Sequence, residues 1–165
     1  MRLRIRALDG AHDRTAFQCG EPALDRYLRE QATQDCRRHI ANCFVALDGD
    51  AVAGFYTLSS ASIPLPDVPE ELARRLPRYP VLPAIRLGRL AVASRLQGTG
   101  CGSLLLADAL KRCLRAEAAA FAVLVEAKHD QAAAFYRHHG FLDLPSRPLT
   151  LFLPLATVKK ALGKA

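Results

Sequence analysis

Gln97-Gly-Thr-Gly-Cys-Gly102 places three glycines at alternate positions, between an apolar strand-like run and an amphipathic helical stretch. Without a Cβ at those positions, backbone N–H groups can converge on one point. The helix that follows adds the positive end of its dipole, so the pattern suits a pyrophosphate. No Gly-Lys-Ser/Thr follows, which excludes a P-loop. The spacing is G-x-G-x-G, not G-x-G-x-x-G, and no acidic residue stands at a strand end about twenty positions on, which disfavours a dinucleotide site. The five cysteines offer less, because no C-x-x-C pair exists and a zinc site is therefore disfavoured. Neither Cys19 nor Cys101 has a histidine placed by sequence to activate it, so both read as structural thiols.

The elements that must position this loop can be read from periodicity. Residues 2–8 alternate basic and apolar side chains, as a first strand does, and contain no continuous apolar stretch of the signal-peptide kind. Pro22 suits the first turn of a helix, and Leu24, Tyr27, Leu28 and Ala32 follow at helical spacing. Segments 42–47 and 51–60 predict two strands joined at Asp48-Gly49-Asp50. Residues 61–83 hold six of the ten prolines and read as a surface excursion with one short helix near 70–76. A strand is expected over Ile85–Val92, then a helix over 101–116 with Leu105, Leu106, Ala109, Leu110, Cys113 and Leu114 as its buried stripe. Phe121–Val125 is apolar throughout, the mark of a strand covered on both faces. Asp130 is a candidate cap for a helix over 131–138 that Gly140 would end, and a last strand lies near 149–155. The order βαββ-loop-βαβαβ defines an α/β domain on a mixed sheet, one domain over residues 1–165. No apolar run of about 18 residues exists, so no membrane span is expected, and odd, unpaired thiols fit a cytoplasmic setting.

Gln97-x-x-Gly100-x-Gly102 resembles the Gln/Arg-x-x-Gly-x-Gly/Ala acetyl-CoA signature of GNAT acetyltransferases, and Ala134-Phe-Tyr136-Arg-His-His-Gly-Phe141 resembles their A-x-x-F-Y-x-x-x-G-F segment. Phe17-x-Cys-Gly-Glu-Pro-x-Leu-Asp-x-Tyr-Leu28, Gly54-Phe-Tyr56-Thr-Leu and Leu87-Gly-Arg-Leu-Ala-Val92 are similar to the toxin branch of that family. Those toxins acetylate the amino acid on charged tRNA and are silenced by a ribbon-helix-helix antitoxin. The resemblance implies a GNAT fold: a mixed central sheet of about six to seven strands with helices on both faces, whose splayed strands hold acetyl-CoA. By the same likeness, the cosubstrate contacts Leu90, Ala91, Val92, Gln97, Gly98, Thr99, Gly100, Cys101, Gly102, Ser103 and Phe135. A bulge near Leu90 would aim N–H groups at the thioester oxygen, and no metal takes part. Tyr136 stands where the family uses a tyrosine to hydrogen-bond or protonate the departing thiolate. A homodimer is also implied.

A general base is not visible. Strand 85–92 carries no carboxylate or histidine; Glu126 ends a strand and could order a water, while His138 and His139 suit the C-terminal end of a helix dipole. A lysine amine, with a pKa near 10.4, must lose a proton before it attacks, whereas an α-amine near 7.7–8.0 is already partly neutral. The missing base therefore favours an α-amino acceptor.

Net charge is +7, from 23 basic and 16 acidic residues. Arg37-Arg38 follow the second helical stretch, Arg74, Arg75 and Arg78 lie in the proline-rich excursion, and Arg89 is expected to share a strand face with Arg86. The resemblance makes Arg37, Arg38, Arg74, Arg75, Arg78 and Arg89 a surface for tRNA, read through phosphates and stem shape. A solvated basic face is the plainer reading. The other function open to the sequence is acetylation of a small amine or a protein N-terminus; a non-catalytic acetyl-CoA sensor is disfavoured by the intact loop and Tyr136.

Overall fold

In the computed structural model, which describes residues 2–163, the alternating start of the chain forms β1 (Arg4–Ala7), antiparallel to β2 (Asn42–Asp48). A two-residue turn at Gly49-Asp50 leads into β3 (Ala51–Pro64), antiparallel to β2. β4 (Val81–Val92), β5 (Ala122–Glu126), β6 (Leu142–Asp143) and β7 (Thr150–Pro154) complete a seven-stranded sheet of order β1-β2-β3-β4-β5-β7-β6. β4 runs parallel to β5 over Ala84–Arg86, whereas β7 is antiparallel to both β5 and β6, so the sheet is mixed as expected. The helices are α1 (Pro22–Arg26), α2 (Ala32–Arg37), α3 (Glu70–Ala73), α4 (Cys101–Arg115), α5 (Asp130–His138) and α6 (Leu155–Gly163).

Several boundaries differ from the sequence reading, each for a local reason. The proline-rich excursion is shorter than 61–83, because β3 continues to Pro64 and β4 already begins at Val81. Pro83 is tolerated inside β4, where its carbonyl, the one ladder group proline keeps, accepts the Phe121 N–H at 2.8 Å. His129, not Asp130, caps α5: its Nδ1 accepts the Ala132 N–H at 3.1 Å. The two-residue β6 is too short to leave a periodic signal, and the C-terminal α6, although Leu155, Val158 and Leu162 stand at helical spacing, was not expected from the sequence. α6 is held by Leu155 and Val158, both buried.

Between α1 and α2 the helix widens to a π-turn over Tyr27–Gln31, where the Ala32 N–H reaches back to the Tyr27 carbonyl. The Arg14 guanidinium donates to the Leu28 carbonyl at 2.8 Å and to Thr33 Oγ1 at 2.9 Å, satisfying an acceptor at the widened turn.

Residue contacts sort the chain into two compact units, one of residues 1–59 and 87–111, the other of residues 60–86 and 112–165. The first is built around Phe17, Tyr27, Leu28, Val45, Val52 and Phe55, with Phe55 edge-on to Phe17 and stacked on Tyr27. The second is built around Ile63, Val68, Leu82, Leu124, Leu144 and Phe152.

Candidate active site

The glycine loop belongs to the first unit. β4 ends at Val92, a 3-10 turn covers Ser94–Leu96, and α4 starts at Cys101. Gly98 and Gly100 have φ of +81° and +92°, a region that costs L side chains energy. A Cβ added at either would meet no heavy atom within 4 Å, so that side of the loop is open space. Gly102 and Ser103 lie inside the first turn of α4, and the Cys101 side chain is buried, leaving only its backbone for a ligand. The open face, the left-handed glycines and the helix start fit an anionic phosphate group, the part of acetyl-CoA such a loop would hold.

The loop is anchored from behind. The Gln97 amide donates to the Val92 carbonyl at 3.0 Å and to the Cys19 carbonyl at 2.7 Å. The Thr99 hydroxyl donates to the Leu96 carbonyl, and the Ser94 N–H donates to the Gln18 carbonyl at 2.8 Å. Gly54 in β3 is needed for a close approach, since a Cβ there would lie 2.7 Å from the Ala91 oxygen and 2.8 Å from Leu105 Cδ1. Leu90 and Val92 are half-buried and Ala91 is buried. A groove of about 510 Å³ opens beside this region, walled by Phe17, Gln18, Val52 and Ala93–Arg95.

Cys19 is no nucleophile. Its thiol is buried beside the Glu21 carbonyl, and burial followed by the Asp25 carboxylate pushes its pKa up to about 11. Burial likewise raises Cys101. A thiol kept protonated is inert, as the sequence suggested.

Tyr136 belongs to the second unit, on the inward side of α5 with 8% of its surface exposed. Its ring meets Phe135 and Phe141 edge-to-face at 5.2 and 5.3 Å. Burial pushes its pKa up to about 12, so the phenol keeps its proton at neutral pH and has an O–H to donate. Against a thiol near 8.5, full proton transfer would be uphill by roughly 5 kcal/mol. Hydrogen bonding to developing thiolate charge is what this group can supply.

The candidate bases are weak. Glu126 is paired with Arg86 at 3.3 Å. His139 caps the end of α5, where burial and then the neighbouring His138 lower its pKa, so it is less of a cation than the dipole argument supposed.

The basic residues divide. Arg37, Arg38, Arg74, Arg75 and Arg78 are exposed, with Arg74 held loosely by Glu70 at 3.0 Å one turn away. Arg89 is half-buried, its guanidinium 3.6 Å from the centre of the Tyr27 ring. Tyr27 in turn donates its hydroxyl to Asp35. The expectation that Arg86 and Arg89 share one strand face is not met: they are three positions apart in a period-two strand and engage Glu126 and Tyr27 respectively. Sequence reasoning missed Asp25 altogether, although its place in the Phe17–Leu28 motif was the available signal.

Residues 39–142 match the family described as Acetyltransferase (GNAT) domain. Over 160 residues the chain is 42% identical to the tRNA-acetylating toxin of Mycobacterium tuberculosis, covering 96% of this chain and 95% of that protein. The solved structure of AtaT complexed with acetyl-methionyl-tRNAfMet is similar with a TM-score of 0.91 at 29% identity, over 98% of this chain and 99% of that one. A tyrosine-to-phenylalanine variant of AtaT bound to the C-terminus of the antitoxin AtaR and acetyl-CoA is similar with a TM-score of 0.82 at 27% identity, over 98% of both chains. The chain belongs to the GNAT acetyltransferases, and it is an enzyme of that acyl-transferring class.

Proposed function

We propose that this enzyme moves the acetyl group of acetyl-CoA to the α-amine of the amino acid on charged tRNA, and that it acts as a toxin by blocking translation. The observation that carries the acceptor is the 42% identity, sustained over 96% of the chain, to a protein named for acetylating tRNA. The site chemistry agrees. The open glycine loop holds the pyrophosphate of the donor through backbone N–H groups, with Leu90–Val92, Ser103 and Phe135 as further contacts. The free amine attacks the thioester carbonyl directly, forming the amide C–N bond as the C–S bond breaks. The amine's proton leaves to water, and the thiolate departs against the hydroxyl of Tyr136. An amine that is partly neutral at physiological pH needs no strong base, and is the acceptor such a site serves best.

The exposed arginines at 37 and 38 in the first unit, and at 74, 75 and 78 in the second, are each assigned to tRNA phosphates, as is Arg89 in the first, whose guanidinium also lies over the Tyr27 ring. An antitoxin of ribbon-helix-helix type, a homodimeric state and a cytoplasmic location complete the reading, supported by the resemblance of the whole chain to the toxin branch. The test is to incubate the enzyme with labelled acetyl-CoA and total charged tRNA, then digest to aminoacyl-adenosine. Label on the amino acid of a charged species is expected; label confined to added small amines or peptides would replace this reading with the metabolic one.

A further inference from the structure

The motif Phe17-x-Cys-Gly-Glu-Pro-x-Leu-Asp25 has no place in the acetyl-transfer chemistry, yet it lies directly behind the loop. We infer that Asp25 is a positioning residue for acetyl-CoA, acting through the backbone of Cys19 and the side chain of Gln97. The inference rests on the reading of residues 97–102 as the donor loop.

The connection is continuous. Asp25 is a carboxylate with 8% exposure, and its Oδ1 accepts the Cys19 N–H at 2.9 Å. The carbonyl of the same residue accepts one Gln97 amide proton at 2.7 Å, and the Val92 carbonyl accepts from that nitrogen at 3.0 Å. A primary amide has two protons, so both donors of Gln97 are used in a staple between the end of β4 and the N-terminal segment. One residue earlier, the Gln18 carbonyl accepts the Ser94 N–H at 2.8 Å. Residues 18 and 19 therefore grip both ends of the turn that launches the loop, and Asp25 fixes residue 19.

The loop needs this support because its own chain cannot supply it. Gly98 and Gly100 lose more freedom on ordering than other residues, and an unanchored loop would lose it at the expense of donor affinity. Anchoring Gln97 sets the direction in which the Gly98–Gly100 N–H groups emerge before the donor arrives. A buried carboxylate is costly unless it is hydrogen-bonded, so an apolar residue would serve packing alone better than Asp25. Its position makes sense as the fixed end of this relay.

The experiment measures acetyl-CoA affinity by calorimetry, and KM and kcat by steady-state kinetics, for Asp25→Ala, Asp25→Asn, Gln97→Ala, the Asp25→Ala/Gln97→Ala double variant and Gly100→Val. Asp25→Ala is expected to raise Kd and KM for acetyl-CoA about tenfold, the usual result of losing a buried hydrogen bond, while kcat at saturating donor stays within about twofold. Asp25→Asn keeps an oxygen for the Cys19 N–H and should restore KM to within about threefold of wild type. Because both residues act on one loop, the double variant should be no weaker than the weaker single variant. An unchanged KM in folded Asp25→Ala, failure of the Asn variant to rescue it, or additive losses in the double variant would overturn the proposal. Should Asp25→Ala fail to fold, Gln97→Ala, altered at an exposed position, decides: an unchanged KM there overturns it equally. Wild-type affinity in Gly100→Val would instead remove the loop assignment itself, so the two failures are distinguishable.

Discussion

The glycine loop at residues 97–102 and the arginine-bearing excursion between β3 and β4 are both exposed, but they are built on opposite principles. In the loop, specificity comes from backbone direction, with φ of +81° and +92° at two glycines and hydrogen bonds anchoring the chain from behind. In the excursion, Arg74, Arg75 and Arg78 extend from a short helix and an irregular stretch, and the ion pair to Glu70 is an exposed one worth little. The first region can hold one ligand geometry; the second can hold negative charge along an exposed front. Donor recognition of the first kind should fail by single-atom changes and be tolerant of salt. Acceptor recognition of the second kind should erode gradually and be sensitive to salt.

The largest effect is expected where neither region acts, at the leaving group. Tyr136→Phe should lower kcat by about 10²–10⁴, the usual contribution of a positioned proton donor. Acetyl-CoA affinity should stay within about twofold, because the hydroxyl acts on the departing thiolate and not on the bound donor. Because burial holds Tyr136 near 12, the rate should climb as the acceptor amine loses its proton at about pH 8 and show no fall from phenol ionisation below about pH 10. Initial-rate pH profiles check this. Bacterial growth on induction, arrested by wild type and not by the variant, checks that toxicity is enzymatic.

Next in size is Gly100→Val. The branched side chain would enter the open side of the loop and occupy the space assigned to the pyrophosphate, while φ of +92° adds backbone strain. Calorimetry should show acetyl-CoA binding weakened by about a hundredfold or more, with a cooperative melt retained. Wild-type affinity would break the comparison on the donor side.

The contrast also explains what the sequence could disclose. Strict glycine spacing is a backbone requirement, and only glycine meets it, so the loop was legible. So were the seven strands' approximate number and the helix stripe of α4, because period and burial leave a mark on residue type. Asp25 was not, since its role depends on the Cys19 N–H and, through that residue's carbonyl, on an amide 72 positions further on. Arg89 looked like its neighbours in the chain, but only the fold places Tyr27 beneath it. The two-residue β6 and the cap at His129 are set by tertiary neighbours and local hydrogen bonds that no period encodes.

A separate effect concerns two buried thiols, away from both regions' ligands. Burial raises Cys43, in the first unit, and Cys113, in the second, to about 12. A folded-state pKa above the unfolded value stabilises the fold below the unfolded pKa and loses that stability as pH rises toward the folded one. Stability should therefore decline between about pH 9 and 12, by up to about 1.4 kcal/mol per pH unit for each thiol. Cys113→Ala should flatten the slope in urea melts over that range while costing some packing at neutral pH; an unchanged slope would mean that thiol ionisation does not limit the fold there.

The most direct test of donor held by backbone and acceptor held by charge is a salt series of both KM values, for wild type and for the Arg74→Ala/Arg75→Ala double variant. The KM for charged tRNA should rise steeply with salt, with a logarithmic slope of about 0.7–0.9 per phosphate neutralised. In the double variant that KM should be higher at low salt and its slope flatter by up to about two units, while the KM for acetyl-CoA stays nearly level in both proteins. An acceptor KM indifferent both to salt and to these two arginines would contradict the account and leave the basic residues as a solvated surface.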